Sequence, residues 1–423
     1  MRVAISSGYS SIGSVGKMVL RDLLPVDLVI LQSTSFCNID CLYCDLSHFG
    51  RRTKSMMSLD LIERFFLELI NSGRVHSDLK IVWHAGEPLT LPVVYYESAI
   101  SLIVRLFETH AAGRFSVHFK IQTNAILIDN EWCAFFARHR ERLDVGVSCD
   151  GPADMHDAFR RTRAGTATHA KTLRGMDLLA RHGIKYKVIA VVTARALAAP
   201  KSFFDFFADR RQELSEFHFN IVAQADAGNA DLAYGTVHRD LYYGFYRRLI
   251  ALAEASRRRG APFEIANFTH ALTRISEAAR PDALSWSEES SAPLRSITLD
   301  AHGHVSTFYA GIGRDTLEHH YGDGQGMALG NIWTMSFEEL VQSEKLQRIR
   351  RDFRVSAQAC ERSCPYYAIC PGGYDVTKQL TLGTFDTAET TECLVQVKAL
   401  ADALLDDIES HLERQPLETA DDT

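Results

Sequence analysis

A chain of 423 residues with 46% hydrophobic residues has material for two or three domains and a large core. Its formal net charge of -7 argues against a nucleic-acid surface, and no apolar run reaches the roughly 20 residues needed to cross a bilayer. The first residues, MRVAISSGYSSIGSVGKMVLRDLLP, lack the basic start and continuous apolar stretch of a signal peptide. The sequence therefore reads as cytoplasmic, with neither membrane nor nucleic acid as partner. Its nine cysteines read as metal-binding, catalytic or buried rather than disulfide-paired.

Residues 1–25 form an extension ahead of the first strand-like run, VDLVILQ (26–32). Further runs follow at KIVWHA (80–85), SVHFKIQT (116–123), LDVGVSC (143–149), KYKVIAVVT (185–193) and EFHFNIV (216–222). Between them lie helical patterns. Ser58 is placed to cap a helix whose stripe of Leu61, Ile62, Phe65, Phe66 and Leu69 ends at Gly73, and 129–139, 171–182 and 200–211 behave similarly. Six such repeats predict an α/β fold, a parallel sheet curled into a partial (β/α)6 barrel over 26–225.

The polar oddities fall just past the strand ends: cysteines after the first, AGEP (85–88) after the second, QTN (122–124) after the third, SCDGP (148–152) after the fourth, and Asn220 at the end of the sixth. In α/β barrels that rim carries the chemistry. Beyond it, 226–293 reads as a bridging helical segment and 294–405 as a second, cysteine-bearing domain that opens on the hairpin LDAHGHVSTFY (299–309). An acidic tail, 406–423, ends the chain.

Cys37, Cys41 and Cys44 have the spacing C-x3-C-x2-C. Three thiolates with no fourth ligand at zinc-like spacing leave a coordination position open, unlike a closed structural zinc site. An iron-sulfur cluster with one free iron suits them better. Cys360, Cys364 and Cys370, at C-x3-C-x5-C, are followed by Cys393. Four cysteines close one cluster with no open iron, and a zinc site is served equally well. Cys133, in a helix-like run, and Cys149, in a strand, read as buried.

CNIDCLYC, followed by AGEP and SCDGP, resembles the radical S-adenosylmethionine (radical SAM) enzymes, over nearly all of the chain from Pro25 onward. The resemblance implies a 4Fe-4S cluster on the three cysteines whose open iron binds the methionine moiety of S-adenosylmethionine, and one-electron cleavage to a 5'-deoxyadenosyl radical. It places Gly86 and Glu87 at the methionine amino group, Ser148 and Asp150 at the ribose, Arg160 at the carboxylate, and Tyr43 and Ile221 at the adenine, with Asn124 beside them. Arg161 and Arg163, in the same FRRTR run, are alternatives to Arg160. The C-terminal cysteines, with LGNI (329–332) before them, resemble the SPASM extension of radical SAM peptide maturases. That extension usually holds two auxiliary clusters, but here no cysteine follows the hairpin and Tyr374 stands where another is expected. One auxiliary 4Fe-4S cluster is therefore predicted, on Cys360, Cys364, Cys370 and Cys393.

Within that group, IVWHAGEPLTLPVVYYE, QTNAILIDNEWC, STF and GTFDTAETTEC are most similar to the GrrM-type maturases, although a triple glycine usual there reads PGG (371–373). This implies a ribosomally made precursor peptide as substrate and a cyclophane as product, an aromatic ring carbon joined to a side-chain β-carbon. A low-potential donor of flavodoxin or ferredoxin type is implied as well. A general base should stand near the ring proton, and Asp300 and Asp375 are the acids nearest the relevant segments. The alternatives are thioether formation, formylglycine-type oxidation, and a zinc-dependent structural or binding protein.

Overall fold

The computed structural model describes residues 25–44, 46–75, 78–111, 115–222, 238–278, 292–307, 313–370 and 372–414. Most of the extension, Phe308 and Tyr309 of the hairpin, Pro371, much of the bridging segment and the end of the tail lie outside the described residues. All six expected barrel strands form: β1 (Leu28–Gln32), β2 (Leu79–Trp83), β3 (Val117–Thr123), β4 (Leu143–Ser148), β5 (Tyr186–Val192) and β6 (Leu214–Ile221). Each pairs in parallel with the next. Sequential neighbours mean that every crossover returns to the adjacent strand on the same hand, which curls the sheet and puts the helices on one face.

Those helices are α1 (Leu59–Asn71), α2 (Val93–His110), α3 (Asn130–His139), α4 (Ala153–Phe159), α5 (His169–Arg181), α6 (Ala194–Ala198) and α7 (Pro200–Ala208). Ser58 caps α1 by accepting from Leu61 N–H, and Gly73 follows its end with a φ of 66°. Helix α2 goes beyond the sequence reading. Its first residues, VVYY, favour strands, but Val93, Tyr95, Tyr96, Ile100 and Ile103 lie on one buried face, and packing overrides propensity.

The strands are two-faced. Ile81, Trp83, Phe119, Ile121, Val145 and Val147 face the helices and are buried, Trp83 stacking on Phe119 at 5.4 Å. The residues that alternate with them, Lys120, Gln122, Ser148 and Lys187, line the inner face. Gly146 leaves room there: a Cβ would stand 2.1 Å from Gln122 Oε1 and 2.7 Å from Lys120 Cε. The barrel interior is thus polar and open to a ligand.

On its other edge β1 pairs in parallel with β7 (Ser296–Asp300), from Leu28↔Ser296 to Gln32↔Asp300. β8 (His304–Thr307) and β9 (Ala328–Asn331) continue antiparallel, giving one nine-stranded sheet. Arg295 pairs with Asp27 at 2.7 Å and Arg64 Nε donates to Ile332 O at 2.5 Å, so the C-terminal third is hydrogen-bonded into the barrel sheet. Helices α8 (Arg239–Arg258) and α9 (Ala266–Ala278) follow β6, and α10 (Phe337–Gln342), α11 (Glu344–Ser363), α12 (Asp375–Leu382) and α13 (Ala399–Arg414) follow β9. No helix of the described residues is long and apolar enough to cross a membrane.

Candidate active site

Past β1 the chain enters an irregular loop that carries Cys37, Cys41 and Cys44, all half-buried. It is held by its neighbours: Cys37 N–H donates to Arg51 O at 3.0 Å, Asp40 N–H to Arg161 O at 2.7 Å and Leu42 N–H to Phe159 O at 3.0 Å. The Arg51 guanidinium donates to the Asp40 carboxylate and to Cys41 O, and Arg163 donates to the carbonyls of Cys37 and Arg51.

The AGEP turn lies under this loop. Ala85 and Gly86 have φ of 69° and 65°, and a Cβ on Gly86 would stand 2.5 Å from Thr34 O and 2.7 Å from Phe36 O, so only glycine fits. The Glu87 carboxylate, 1% exposed, accepts from Thr123 Oγ1 at 2.7 Å, Asn124 N–H at 2.8 Å and Leu89 N–H at 3.0 Å. Burial raises its pKa to about 7 against those hydrogen bonds. Asn124 Nδ2 donates to Asn38 Oδ1 at 2.7 Å, which ties the end of β3 to the cysteine loop.

Beyond β4, Asp150 is 2% exposed. It accepts from Tyr43 Oη, from Arg160 Nε at 2.9 Å and from Val191 N–H at 2.9 Å. The Arg160 guanidinium sits over the Tyr43 ring, 5.5 Å from its centroid. Burial pushes the Cys37 and Cys41 thiols up to about 12, Glu87 adding to it at Cys37 and Arg160 opposing it at Cys41. A metal that binds here must displace protons. Gln122 Nε2 donates to Ser148 Oγ at 3.1 Å, while its buried Oε1 has no hydrogen-bond partner. Buried polar atoms are rarely left so, and this one fits a hydroxyl-bearing ligand on the inner face.

The second cysteine group forms where α11 ends. Cys360 lies in its last turn and Cys364 N–H donates back to Cys360 O at 2.8 Å. Cys370 follows in a tight turn closed by its N–H to Tyr366 O, also at 2.8 Å, and Cys393 opens a π-helical turn ahead of α13, a feature frequent at functional sites. The four cysteines line one small cavity with Tyr374 and Lys378. Burial raises the Cys370 thiol, and pushes that of Cys393 up to about 12. Neither cysteine group brings three sulfurs within 4.8 Å of one another. A tetrahedral zinc, with Zn–S of about 2.3 Å, needs sulfurs about 3.8 Å apart.

A cavity of about 940 Å³ opens between the first cysteine loop and the C-terminal segments. Gln32, Ser35 and Thr53 line it from the barrel, Asp300 and His304 from the β7–β8 hairpin, and Leu380 from α12. Phe49 and Leu382, 81% and 51% exposed, stand at its lining. The Asp300 carboxylate accepts from His302 N–H at 2.8 Å, His304 N–H at 2.9 Å and His304 Nδ1 at 3.0 Å. Burial acts to raise its pKa, but the His304 contacts outweigh that and hold it below the usual carboxylate value.

Residues 31–194 match the family model of the Radical SAM superfamily. Over 402 residues, covering 94% of this chain and 96% of the relative, the sequence is 32% identical to "Uncharacterized protein sll1766" of Synechocystis sp.. The chain belongs to the radical SAM superfamily. This radical SAM protein is also 34% identical over 189 residues to the serine-type anaerobic sulfatase-maturating enzyme of Bacteroides thetaiotaomicron, the match covering 44% of each chain. Its fold is similar to the solved structure "Native anSMEcpe with bound AdoMet" (TM-score 0.69, 18% identity, 92% of this chain and 100% of that one). It is similar also to that of Streptococcus suis SuiB bound to precursor peptide SuiA (TM-score 0.59, 15% identity, 92% and 84%). S-adenosylmethionine and a 4Fe-4S cluster are the cofactors of this radical SAM protein.

The structure gathers Cys37, Cys41, Cys44, Tyr43, Gly86, Glu87, Asn124, Ser148, Asp150 and Arg160 at the ends of β1 to β4. Ile221 shares a buried face with Phe217 and Phe219, and Asn220, on the other face, is the exposed residue. Asp150 accepts from Arg160, Tyr43 and Val191 N–H, which makes it an anchor for the Arg160 and Tyr43 side chains. Among the three arginines, Arg161 and Arg163 bind backbone carbonyls, leaving Arg160 as the buried one beside Tyr43. Of the two acids near the hairpin and α12, Asp300 lines the cavity, whereas Asp375 is 5% exposed and absent from its lining. Gln122, Arg51 and His304 go beyond the expected site. Gln122 stood in the quoted QTN, but only the register with Gly146 shows its side chain aimed inward.

His156, 1% exposed, braces the Asp150 segment: its Nδ1 accepts from Asp150 N–H at 3.4 Å and its Nε2 pairs with Thr168 Oγ1 at 3.2 Å. Burial drops its pKa to about 4. A histidine whose folded pKa lies below its unfolded value stabilises fully above about pH 6.5 and loses that contribution as pH falls. The loss should reach about 3 kcal/mol near pH 4. Urea unfolding at pH 7 and pH 4.5 should therefore show a shallower pH slope in His156→Gln than in the wild type, and equal slopes would remove this assignment.

Proposed function

We propose that this chain is a peptide maturase that joins an aromatic ring carbon to a side-chain β-carbon within a ribosomally made precursor peptide. The observation that carries this reading is the cavity of about 940 Å³, which reaches from the first cysteine loop to α12 and exposes Phe49 and Leu382 for an apolar peptide segment. The named sulfatase-maturating relatives and the SuiB structure with its precursor peptide support a peptide substrate.

Bound at Cys37, Cys41 and Cys44, the 4Fe-4S cluster and S-adenosylmethionine together supply a 5'-deoxyadenosyl radical. The chain's residues orient the cofactor. The AGEP turn with Glu87 borders the methionine amino group and Arg160 takes the carboxylate. Ser148, held by Gln122, would meet the ribose hydroxyls, Tyr43 would cover the adenine, and Asp150 fixes Arg160 and Tyr43. On the peptide side, His304 is the group placed to take the ring proton, with Asp300 bound at Nδ1 and orienting it. The His304 contacts hold Asp300 below the usual carboxylate value, which makes it the weaker base. Cys360, Cys364, Cys370 and Cys393 hold one auxiliary cluster, and Tyr374, which turns into their cavity, provides no thiolate for a second. Four thiolates would serve a zinc ion equally well, which is the alternative reading. Protein purified anaerobically should be brown with iron, and a colourless zinc protein would favour that alternative.

Formylglycine-type oxidation is the second reading, favoured by the sulfatase-maturating relatives. Co-expression with a small peptide encoded beside this gene, followed by mass spectrometry, tests both. Each cross-link should lower the peptide mass by about 2 Da, since two hydrogens leave and nothing is gained from the cofactor. The linkage should survive replacement of the peptide's cysteines and should include an aromatic residue. A product that needs a substrate cysteine or serine and joins no aromatic residue would reject it.

A further inference from the structure

The second cysteine cavity contains a charge that the proposed function does not use. Lys378, on the second turn of α12, is 2% exposed. Its Nζ donates to Ser356 Oγ at 2.7 Å, Ser356 O at 3.1 Å and Cys360 Sγ at 3.1 Å. An ammonium has three N–H donors, and each has an acceptor here, so the group is fixed in one orientation. Among the described residues no carboxylate stands within ion-pair distance of it. A buried charge is costly without a counter-charge, and the group positioned to provide one is the Cys360 sulfur, as a thiolate bound to metal.

The placement is built by the backbone. Gly372 and Tyr374 have φ of 96° and 57°, and a Cβ on Gly372 would stand 3.2 Å from Ala357 Cα. The chain therefore turns back tightly against α11, and α12 starts alongside the helix that carries Cys360. Two other cations act on this group, Arg274 at Cys370 and Lys398 at Cys393. Lys398 is paired with Glu389, which neutralises much of its field. Lys378 combines full burial with direct contact to a ligand sulfur, where screening is weakest.

We propose that Lys378 is a tuning residue of the auxiliary cluster: its ammonium, hydrogen-bonded to Cys360 Sγ, raises the cluster's reduction potential and so fits it to accept an electron. Hydrogen bonds to the sulfurs and local charge are among the factors that set such potentials. Reduction adds one electron and one negative charge to the cluster, and a cation in contact favours the more negative state. This rests on the reading that Cys360, Cys364, Cys370 and Cys393 hold a 4Fe-4S cluster.

The test uses the full chain carrying Cys37→Ala, Cys41→Ala and Cys44→Ala, so that the auxiliary cluster alone is observed. Reconstituted protein is titrated with dithionite at poised potentials and the reduced cluster is read by electron paramagnetic resonance, with Lys378→Met, Lys378→Gln and Lys378→Arg compared. Met and Gln should retain about four irons per chain and shift the midpoint downward. At a fixed potential the reduced-to-oxidised ratio should fall about tenfold, or about 59 mV for one electron. Arg, which keeps the charge, should stay near the parent value. Full iron with an unchanged midpoint in Met and Gln would overturn the proposal. So would loss of the cluster in both, since the lysine would then be structural. A parent chain that binds no iron would instead refute the cluster reading on which the proposal rests.

Discussion

Replacing Cys37, Cys41 and Cys44 together by Ala is expected to abolish 5'-deoxyadenosine formation. Iron should fall from about eight to about four atoms per chain, one 4Fe-4S cluster of two being lost. The fold should survive. The three side chains are half-buried, and the loop is held through its backbone by Arg51, Arg163 and the carbonyls of Phe159 and Arg161. The Cys360 group lies past β9, at the end of α11, and does not depend on that loop. Unchanged cleavage would remove the cofactor from these three cysteines. A wild-type value near twelve irons would show a third cluster, with ligands overlooked near Thr307 and Tyr374.

Arg160→Ala is expected to cost about 3–5 kcal/mol of stability, because it leaves the Asp150 carboxylate buried without its cation. Asp150 and the Arg160 side chain are 2% and 9% exposed, so water cannot take over. Tyr43 loses both the guanidinium over its ring and the geometry of its own hydrogen bond to Asp150. The double replacement Asp150→Leu with Arg160→Met should recover much of the lost stability, since removing both charges leaves neither uncompensated. S-adenosylmethionine binding should be lost in both variants. Denaturant unfolding and equilibrium dialysis separate the two effects. A cost below about 1 kcal/mol for Arg160→Ala would place the pair in the weak, solvent-screened class.

The barrel was legible because the strands are largely apolar runs with polar residues at or beside their ends, and because chemistry collects at those ends. The resemblance to radical SAM motifs then singled out Glu87 and Ser148 at those ends, with Asn124 beside them. What stayed hidden is set by pairing across long sequence separations. The register of β7 on β1 joins residues 268 apart, and nothing local in SITLD announces a parallel partner. The sequence marks where β6 ends but not which of its last residues faces inward, so only the register shows Ile221 on the buried face. The bonds that Asp150 accepts from Tyr43 and Val191 come from distant segments and were equally hidden. Lys378 carries no motif at all. Its aim at Cys360 depends on a glycine and a left-handed tyrosine that turn α12 against α11. The cysteine spacings were the opposite case, since ligand chemistry ties residue type to interval and both groups were legible as candidate ligand sets in the sequence.

The central claim is that a radical generated at the Cys37 loop removes hydrogen from the β-carbon of a precursor-peptide residue. Supplying the peptide with deuterium at that β-carbon, in an anaerobic reaction with dithionite and S-adenosylmethionine, tests it most directly. The account predicts deuterium in the 5'-deoxyadenosine isolated with cross-linked peptide, in amounts that track the cross-link, and none with the variant lacking Cys37, Cys41 and Cys44. Cross-linked peptide formed with unlabelled 5'-deoxyadenosine would contradict it.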